Sequence, residues 1–303
     1  MDWLNYHHLY YFWQVARLGG VGKAAEELGL AQPTVSAQLR ELERSLRQQL
    51  FERQGRHLAL TDAGRTVFRY AEEIFALGQE LQGVLRGLPR QRTLRFVVGV
   101  ADVLSKLLVF RLLAPAVRLP EPVQLLCEEG PLPRLLAALA LHEVDLVLAD
   151  RPVPPGTGVK AFSHLLGESA LAVCGTPALV RQHGKDFPEG LHQAPFLLPS
   201  EQSVAAASLR RWFAVHDLVP DIRGEFADSA LLKVFGSAGV GLFAVPEVMV
   251  REVERQYGVV PAGRIADVRE QFYAITVERR LKHPAVVAVV EAARQELFGD
   301  APR

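Results

Sequence analysis

The sequence predicts an α/β protein in two parts, an all-α front end carrying one long helix, then an α/β half running from residue 94 to 303. Three observations predict it. Apolar residues recur at helical spacing through the first sixty positions, an apolar seam without proline runs from 62 to 88, and short apolar runs then alternate with helical segments. The length of 303 residues suits two domains. With 49% hydrophobic and 22% charged residues, the composition is that of a folded chain rather than a disordered one. The N-terminus MDWLNYHHLYYFWQV has no basic start leading into an apolar stretch and cleavage site, and no apolar run approaches the length of a membrane span. A cytoplasmic location is expected. The two cysteines, Cys127 and Cys174, lie far apart without metal-ligand spacing, and are expected to be buried small hydrophobes in a reducing compartment rather than a redox pair.

The first helix opens at Asn5, whose side chain can accept from an exposed N–H, and buries Leu9, Phe12, Trp13 and Ala16. Gly19 and Gly20 end it. A second helix, 21–28, turns Ala24, Ala25 and Leu28 inward, the two alanines permitting close helix approach. Gly29 supplies a turn in which positive φ is cheap only for glycine. A third helix begins near Gln32 with Pro33 in its first turn, where the missing N–H does no harm, and buries Val35, Leu39, Leu42 and Leu46. A short helix, a glycine turn and a second helix with polar residues at its start form a helix-turn-helix, which enters the major groove by that polar end. Lys23 and the exposed residues Gln32, Thr34, Ser36, Gln38 and Arg40 are candidate DNA contacts, since Gln pairs bidentately with adenine and Arg with guanine. The same residues would also suit the solvated face of any amphipathic helix. The segment after the third helix favours DNA. In LFERQGRHLALTDAG, residues 50–64, Arg53, Arg56 and His57 surround Gly55, and Leu58 and Leu60 alternate as in a hairpin. A basic glycine tip beside a reading helix fits a phosphate or minor-groove contact. Net charge adds little, with 12 Lys and Arg against 10 Asp and Glu over residues 1–92.

The run AAEELGLAQPTVSAQLRELERSLRQQLFERQGRHLALTDAG resembles the DNA-binding domain of LysR-type transcriptional regulators almost throughout. The paired alanines, the QPxVSxQLxxLE core and the FxRxxRxxxLTxAG close are all present. The resemblance implies a winged helix-turn-helix over residues 1–61, with Gln32, Pro33, Thr34 and Ser36 at the major groove and Arg53 and Arg56 on the backbone. Ala31 departs from the family, which usually has a capping Ser or Thr there; that loss costs roughly 0.5–2 kcal/mol.

Behind it, residues 62–88 form the linker helix. Val67, Tyr70, Ile74, Leu77, Leu81, Val84 and Leu88 follow spacings of three and four, a heptad seam that points to a partner helix and hence to a homodimer. Packing within the chain is the alternative. Pro89 and the polar stretch 89–93 read as a hinge. The resemblance implies a dimer or tetramer on a split operator, with RNA polymerase as a further partner.

From residue 94, LRFVVGV (94–100), VQLLCEE (123–129) and VDLVLAD (144–150) read as strands of a parallel sheet with crossover helices at about 103–117 and 132–141. A second unit begins near Ala170, shows GVGLFAVP (239–246), and gives way to FYAITV (272–277) and a helix after Pro284. By resemblance this is the family's two-lobed, periplasmic-binding-protein-like effector domain, with lobe one at 94–167 and 264–303 and lobe two at 168–263. Ligands of such lobes bind at the carboxyl ends of strands. The candidates there are Asp102, Ser105, Lys106, Glu128, Glu129 and Asp150, joined by Ser200 and Asp228 from lobe two. Asp102 is expected to cap the first helix. So acidic a cleft would repel an anion unless Lys106 and Arg151 compensate.

NYHHLYYFWQV, VGVADVLSKLLV (98–109), GEFADSALLKVFG (224–236) and ERRLKHPAV (278–286) are also similar to members of the family that respond to sodium and lithium and activate a sodium/proton antiporter gene. The resemblance implies a monovalent cation as effector, chemically consistent with oxygen-rich side chains, and no cofactor. The acidic residues also admit a plainer reading, with Asp102 as a cap, Glu128 and Glu129 solvated, and Asp150 paired with Arg151. A family member sensing a small organic anion stays open. An enzyme is disfavoured by the lack of GxSxG, HExxH or a phosphate-loop pattern. The glycines of GSAGVG (236–241) lead into a strand rather than out of one.

Overall fold

The computed structural model describes residues 3–54, 57–85, 93–201 and 203–299, and the chain divides into two compact units, Met1–Arg92 and Thr93–Arg303. In the first unit α1 (Tyr6–Leu18) starts where the Asn5 side chain accepts from His7 N at 2.9 Å and His8 N at 3.2 Å. Helix α2 (Val21–Leu28) ends at Gly29, φ +63°. Helix α3 (Gln32–Leu46) begins without a side-chain cap, because Ala31 has no oxygen to offer. A hairpin of β1 (Phe51–Gln54) and β2 (His57–Leu60) leads into the long α4 (Asp62–Leu85). The core joins Leu9 and Phe12 of α1, Ala24 and Ala25 of α2, Val35 and Leu42 of α3, then Leu50 and Ala71.

Three contacts fix the hairpin against the helices. The Glu43 carboxylate accepts from Leu50 N at 2.8 Å and Phe51 N at 3.4 Å. Thr61 Oγ1 donates to Gln49 O at 2.6 Å and accepts from Gly64 N at 3.0 Å, capping α4. Gly64 then passes so close to the backbone that an added Cβ would stand 2.0 Å from Leu50 O.

The seam of α4 is divided. Val67 and Ile74 pack partly against this unit's own core, with Ala71 fully buried beside them. Tyr70, Leu77 and Leu81 are exposed, and Leu85 extends that row. At Val67 and Ile74 the expected alternative, packing within the chain, therefore holds in part, since both side chains are half-buried against this core. Leu88 and the side chain of Val84 lie outside the described residues.

The second unit is built on one eight-stranded sheet. Its strands are β3 (Leu94–Ala101), β4 (Val123–Gly130), β5 (Leu146–Ala149), β6 (Phe162–Gly175), β7 (Pro195–Pro199), β8 (Asp221–Phe226), β9 (Leu242–Pro246) and β10 (Val260–Thr276). The helices are α5 (Lys106–Val117), α6 (Leu132–Ala140), α7 (Pro177–His183), α8 (Val204–Val215), α9 (Ser229–Ser237), α10 (Val250–Tyr257) and α11 (Pro284–Ala292). In the order β4-β3-β5-β10-β6-β9-β7-β8, two parallel trios flank a long antiparallel pair. The sheet is thus mixed rather than purely parallel.

Both β6 and β10 run through the two lobes. Phe162–Gly167 pairs with Phe272–Thr276 beside β5, and Ala170–Gly175 pairs with Val260–Arg269 beside β9. The chain returns to lobe one near Glu270, not near Arg264, because the β10 stretch before Glu270 is still paired with the lobe-two half of β6. Cys174 is buried as expected, while Cys127 is exposed on the edge strand β4, so the expectation of two buried thiols holds for one. No described helix is long and apolar enough to cross a membrane.

Gly→Ala inside a helix ordinarily gains about 1 kcal/mol. At Gly64 the clash with Leu50 O reverses the sign, and Gly64→Ala is expected to cost about 1–3 kcal/mol. Urea unfolding of the full chain followed by tryptophan fluorescence reads this directly; a raised midpoint would contradict the account.

Candidate nucleic-acid interface and ligand cavity

In the first unit α3 offers its N-terminal turn to solvent. Gln32, Pro33, Thr34 and Arg40 are exposed, Ser36 and Gln38 half-buried, while Val35, Leu39 and Leu42 hold the opposite face in the core. Gly22 makes room for the reader at the helix start: a Cβ there would meet Gln32 Nε2 at 3.0 Å. Lys23 on α2 and Arg53 on β1 are exposed as well. Among the described residues none of these polar side chains makes an intramolecular hydrogen bond or ion pair, unlike Arg44, bound to Glu41 at 2.6 Å, or Arg65, bound to Leu60 O at 2.8 Å. Their donors are left for another molecule. Arg56 and the side chain of His57 lie outside the described residues.

In the second unit a cavity of about 70 Å³ opens between the lobes. Ser105, Asp150 and Ser200, three of the expected cleft residues, line it. The other five do not, and the structure gives each a local reason. Asp102 is not the cap of α5. It sits exposed in a turn closed by Leu104 N bonding to Ala101 O at 3.0 Å, and the helix starts only at Lys106, with Ser105 in the cap position. Lys106 and Glu129 form an exposed pair with each other, and Glu128 lies 3.9 Å from Arg134. Asp228 caps α9, accepting from Ala230 N at 2.7 Å. The expected ring of carboxylates is therefore dispersed. Among the described residues no three His, Cys, Asp or Glu side chains gather as a metal-holding group.

Asp150 is held by Arg151 through two bonds of 2.9 and 3.0 Å, and it also accepts from Val204 N at 3.4 Å at the start of α8. The more telling groups are two that pattern reading passed over. Lys233 on α9 is 4% exposed. Its ammonium donates to Ser105 Oγ across the cleft at 3.2 Å and to Ser229 O at 2.9 Å. Burial pushes the Lys233 ammonium down to about 8, against the partial support of Glu270 and Asp228. Glu270 sits where β10 crosses between lobes; burial, then the neighbouring Asp150, pushes its carboxyl up to about 7. Lys233 was legible only as a charge in the apolar run SALLKVFG, and Glu270 only as one of two adjacent charges in VREQFYAI. The remaining lining is mainly apolar, with Leu104, Leu108, Phe226, Val245 and Phe272.

Residues 6–65 match the bacterial regulatory helix-turn-helix protein of the lysR family, and residues 89–298 match the LysR substrate binding domain. The chain is 37% identical over 304 residues to the transcriptional activator protein NhaR of Escherichia coli strain K12, covering 100% of this chain and 99% of that one. In fold it is similar to full-length LysG from Corynebacterium glutamicum with bound effector Arg, at a TM-score of 0.61 and 16% identity over 97% of this chain and 100% of that one. It is likewise similar to ArgP from Mycobacterium tuberculosis, at a TM-score of 0.59 and 19% identity over 96% and 97%. Two domain matches that cover most of the chain, with a relative aligned from end to end, show that the protein belongs to the LysR family of bacterial DNA-binding transcriptional regulators.

Proposed function

We propose that this regulator is a cytoplasmic activator of a sodium/proton antiporter gene, responsive to sodium or lithium, and that it acts as a dimer or tetramer on a split operator. The observation that carries this reading is the end-to-end similarity to the activator NhaR. DNA is read by the free donors of Gln32, Thr34, Ser36, Gln38 and Arg40, with Pro33 starting the helix. Lys23, Arg53, Arg56 and His57 hold phosphates. The exposed row Tyr70, Leu77 and Leu81 joins the linker helices of two copies. Effector binding changes the lobe angle, hence the spacing of the DNA-binding pairs, and RNA polymerase is recruited.

A second reading concerns the effector alone. The buried ammonium of Lys233, which lines the cavity, opposes a cation and favours a ligand that carries negative charge.

Gln32→Ala is expected to relax base preference, costing about 1–3 kcal/mol of discrimination, whereas Arg53→Ala should weaken binding evenly across sequences and lower the salt slope by about 1. Titration of operator and scrambled duplexes at several salt concentrations separates the two; an unchanged slope for Arg53→Ala removes it from the phosphate contacts. The double variant Leu77→Glu, Leu81→Glu should sediment as a monomer with its fold intact, and a dimer surviving both charges would place the interface elsewhere. Footprinting on the upstream DNA in sodium, then in potassium at equal ionic strength, tests the ion response. A pattern that shifts only in sodium or lithium is expected, and identical protection in both salts would discard the cation effector.

A further inference from the structure

Two charges of opposite sign line the cavity, the buried Lys233 and the half-buried Glu270, and neither has a partner within ion-pairing distance among the described residues. Lys233 gives its protons only to the neutral oxygens of Ser105 and Ser229. Glu270 makes no side-chain hydrogen bond and no ion pair to a described residue, although it lines the same space. Ser229 Oγ, also on the wall, is buried without a partner among the described residues. Asp150 differs, being neutralised in place by Arg151. Buried charges and hydroxyls left in this state cost free energy until something binds them.

The charge balance selects among ligands. An anion alone would satisfy Lys233 and leave Glu270 bare. A monovalent cation alone would satisfy Glu270 and stand against the ammonium. A molecule carrying both signs satisfies the two together, and the cavity of about 70 Å³ limits it to a handful of heavy atoms unless the lobes part. We propose that the interlobe cavity binds a small zwitterionic amino acid, its carboxylate on Lys233 and the hydroxyls of Ser105 and Ser229, its ammonium on Glu270. The inference rests on the cavity being the effector site and goes beyond the ion response. The apolar wall of Leu104, Leu108, Phe226 and Phe272 favours an uncharged side chain.

Binding must then follow the charge states of both groups. Glu270 is pushed up to about 7, so its anion is lost as pH falls through that value. Lys233 is pushed down to about 8, so its cation is lost as pH rises through that value. The other charges acting on the pair are Asp150, Asp228 and Lys106. Affinity should peak between the two values and decline on both sides.

The test is titration calorimetry and thermal unfolding of the full-length protein, without DNA, against glycine, L-alanine and L-arginine, and against the half-ligands acetate and methylammonium. Glycine or alanine at millimolar concentration should bind and raise the midpoint, neither half-ligand alone should do so, and Lys233→Met and Glu270→Gln should each weaken binding about ten-fold or more. Should either variant fail to fold, the half-ligands and the pH profile of the unaltered protein decide. A response to acetate equal to that to alanine, a response kept in both variants, or no response to any amino acid in the series overturns the proposal. Because binding is read without DNA, the result is separate from the sodium-dependent footprint that tests the regulatory reading.

Discussion

The antiparallel pair formed by β6 and β10 is the constraint on which the effector-binding unit depends. Among the described residues these are the strands that enter both lobes, and each parallel trio hangs from one half of the pair. A parallel trio cannot close its own edge, so β5 is paired by β10 on one side and β9 by β6 on the other. The lobes therefore share a continuous apolar core, in which Phe96 and Leu148 of lobe one belong to the same cluster as Phe243 and Val245 of lobe two. Any change of lobe angle has to bend this pair where the register crosses, beside Glu270.

That position explains why the cavity carries unusual electrostatics. Elsewhere the carboxylates and bases of this unit neutralise each other at short range on the surface, as Lys106 does with Glu129 and Arg210 with Glu225. Exposed pairs of this sort contribute little to stability and can form wherever long side chains meet. Lys233 and Glu270 cannot do the same. One is anchored on α9 and the other on the crossing strand, and both line the interlobe cavity without an ion pair between them. Burial acts on both in the same sense, against charge, which is why the ammonium is pushed down and the carboxyl up.

In the DNA-binding unit the division of labour is different. Glu43, Thr61 and Gly64 use up the backbone groups where α3, the hairpin and α4 meet. The reading side chains, by contrast, are left without intramolecular partners among the described residues. A helix held rigidly at its C-terminal end presents its N-terminal turn at a defined angle, and the donors there lose little freedom that DNA would have to remove.

The sequence by itself determined whatever depends on local periodicity and on close-spaced motifs. The three helices and their caps at Asn5 and Thr61, the glycine turn at Gly29, the DNA-reading face and the strands β3 to β5 all follow from residues within a few positions of one another. Only the tertiary structure decided which half of the α4 seam is buried, where the chain returns between lobes, and which charges meet in the cavity. Asp102 was misplaced as a cap because strand β3 is followed by a turn that delays the helix by three residues. Lys233 and Ser105 lie 128 positions apart, and Glu270 joins them from a third element. The physical reason is the range of the forces: capping and amphipathic spacing act within a turn of the chain, whereas the burial that shifts a charge is set by every element packed around it.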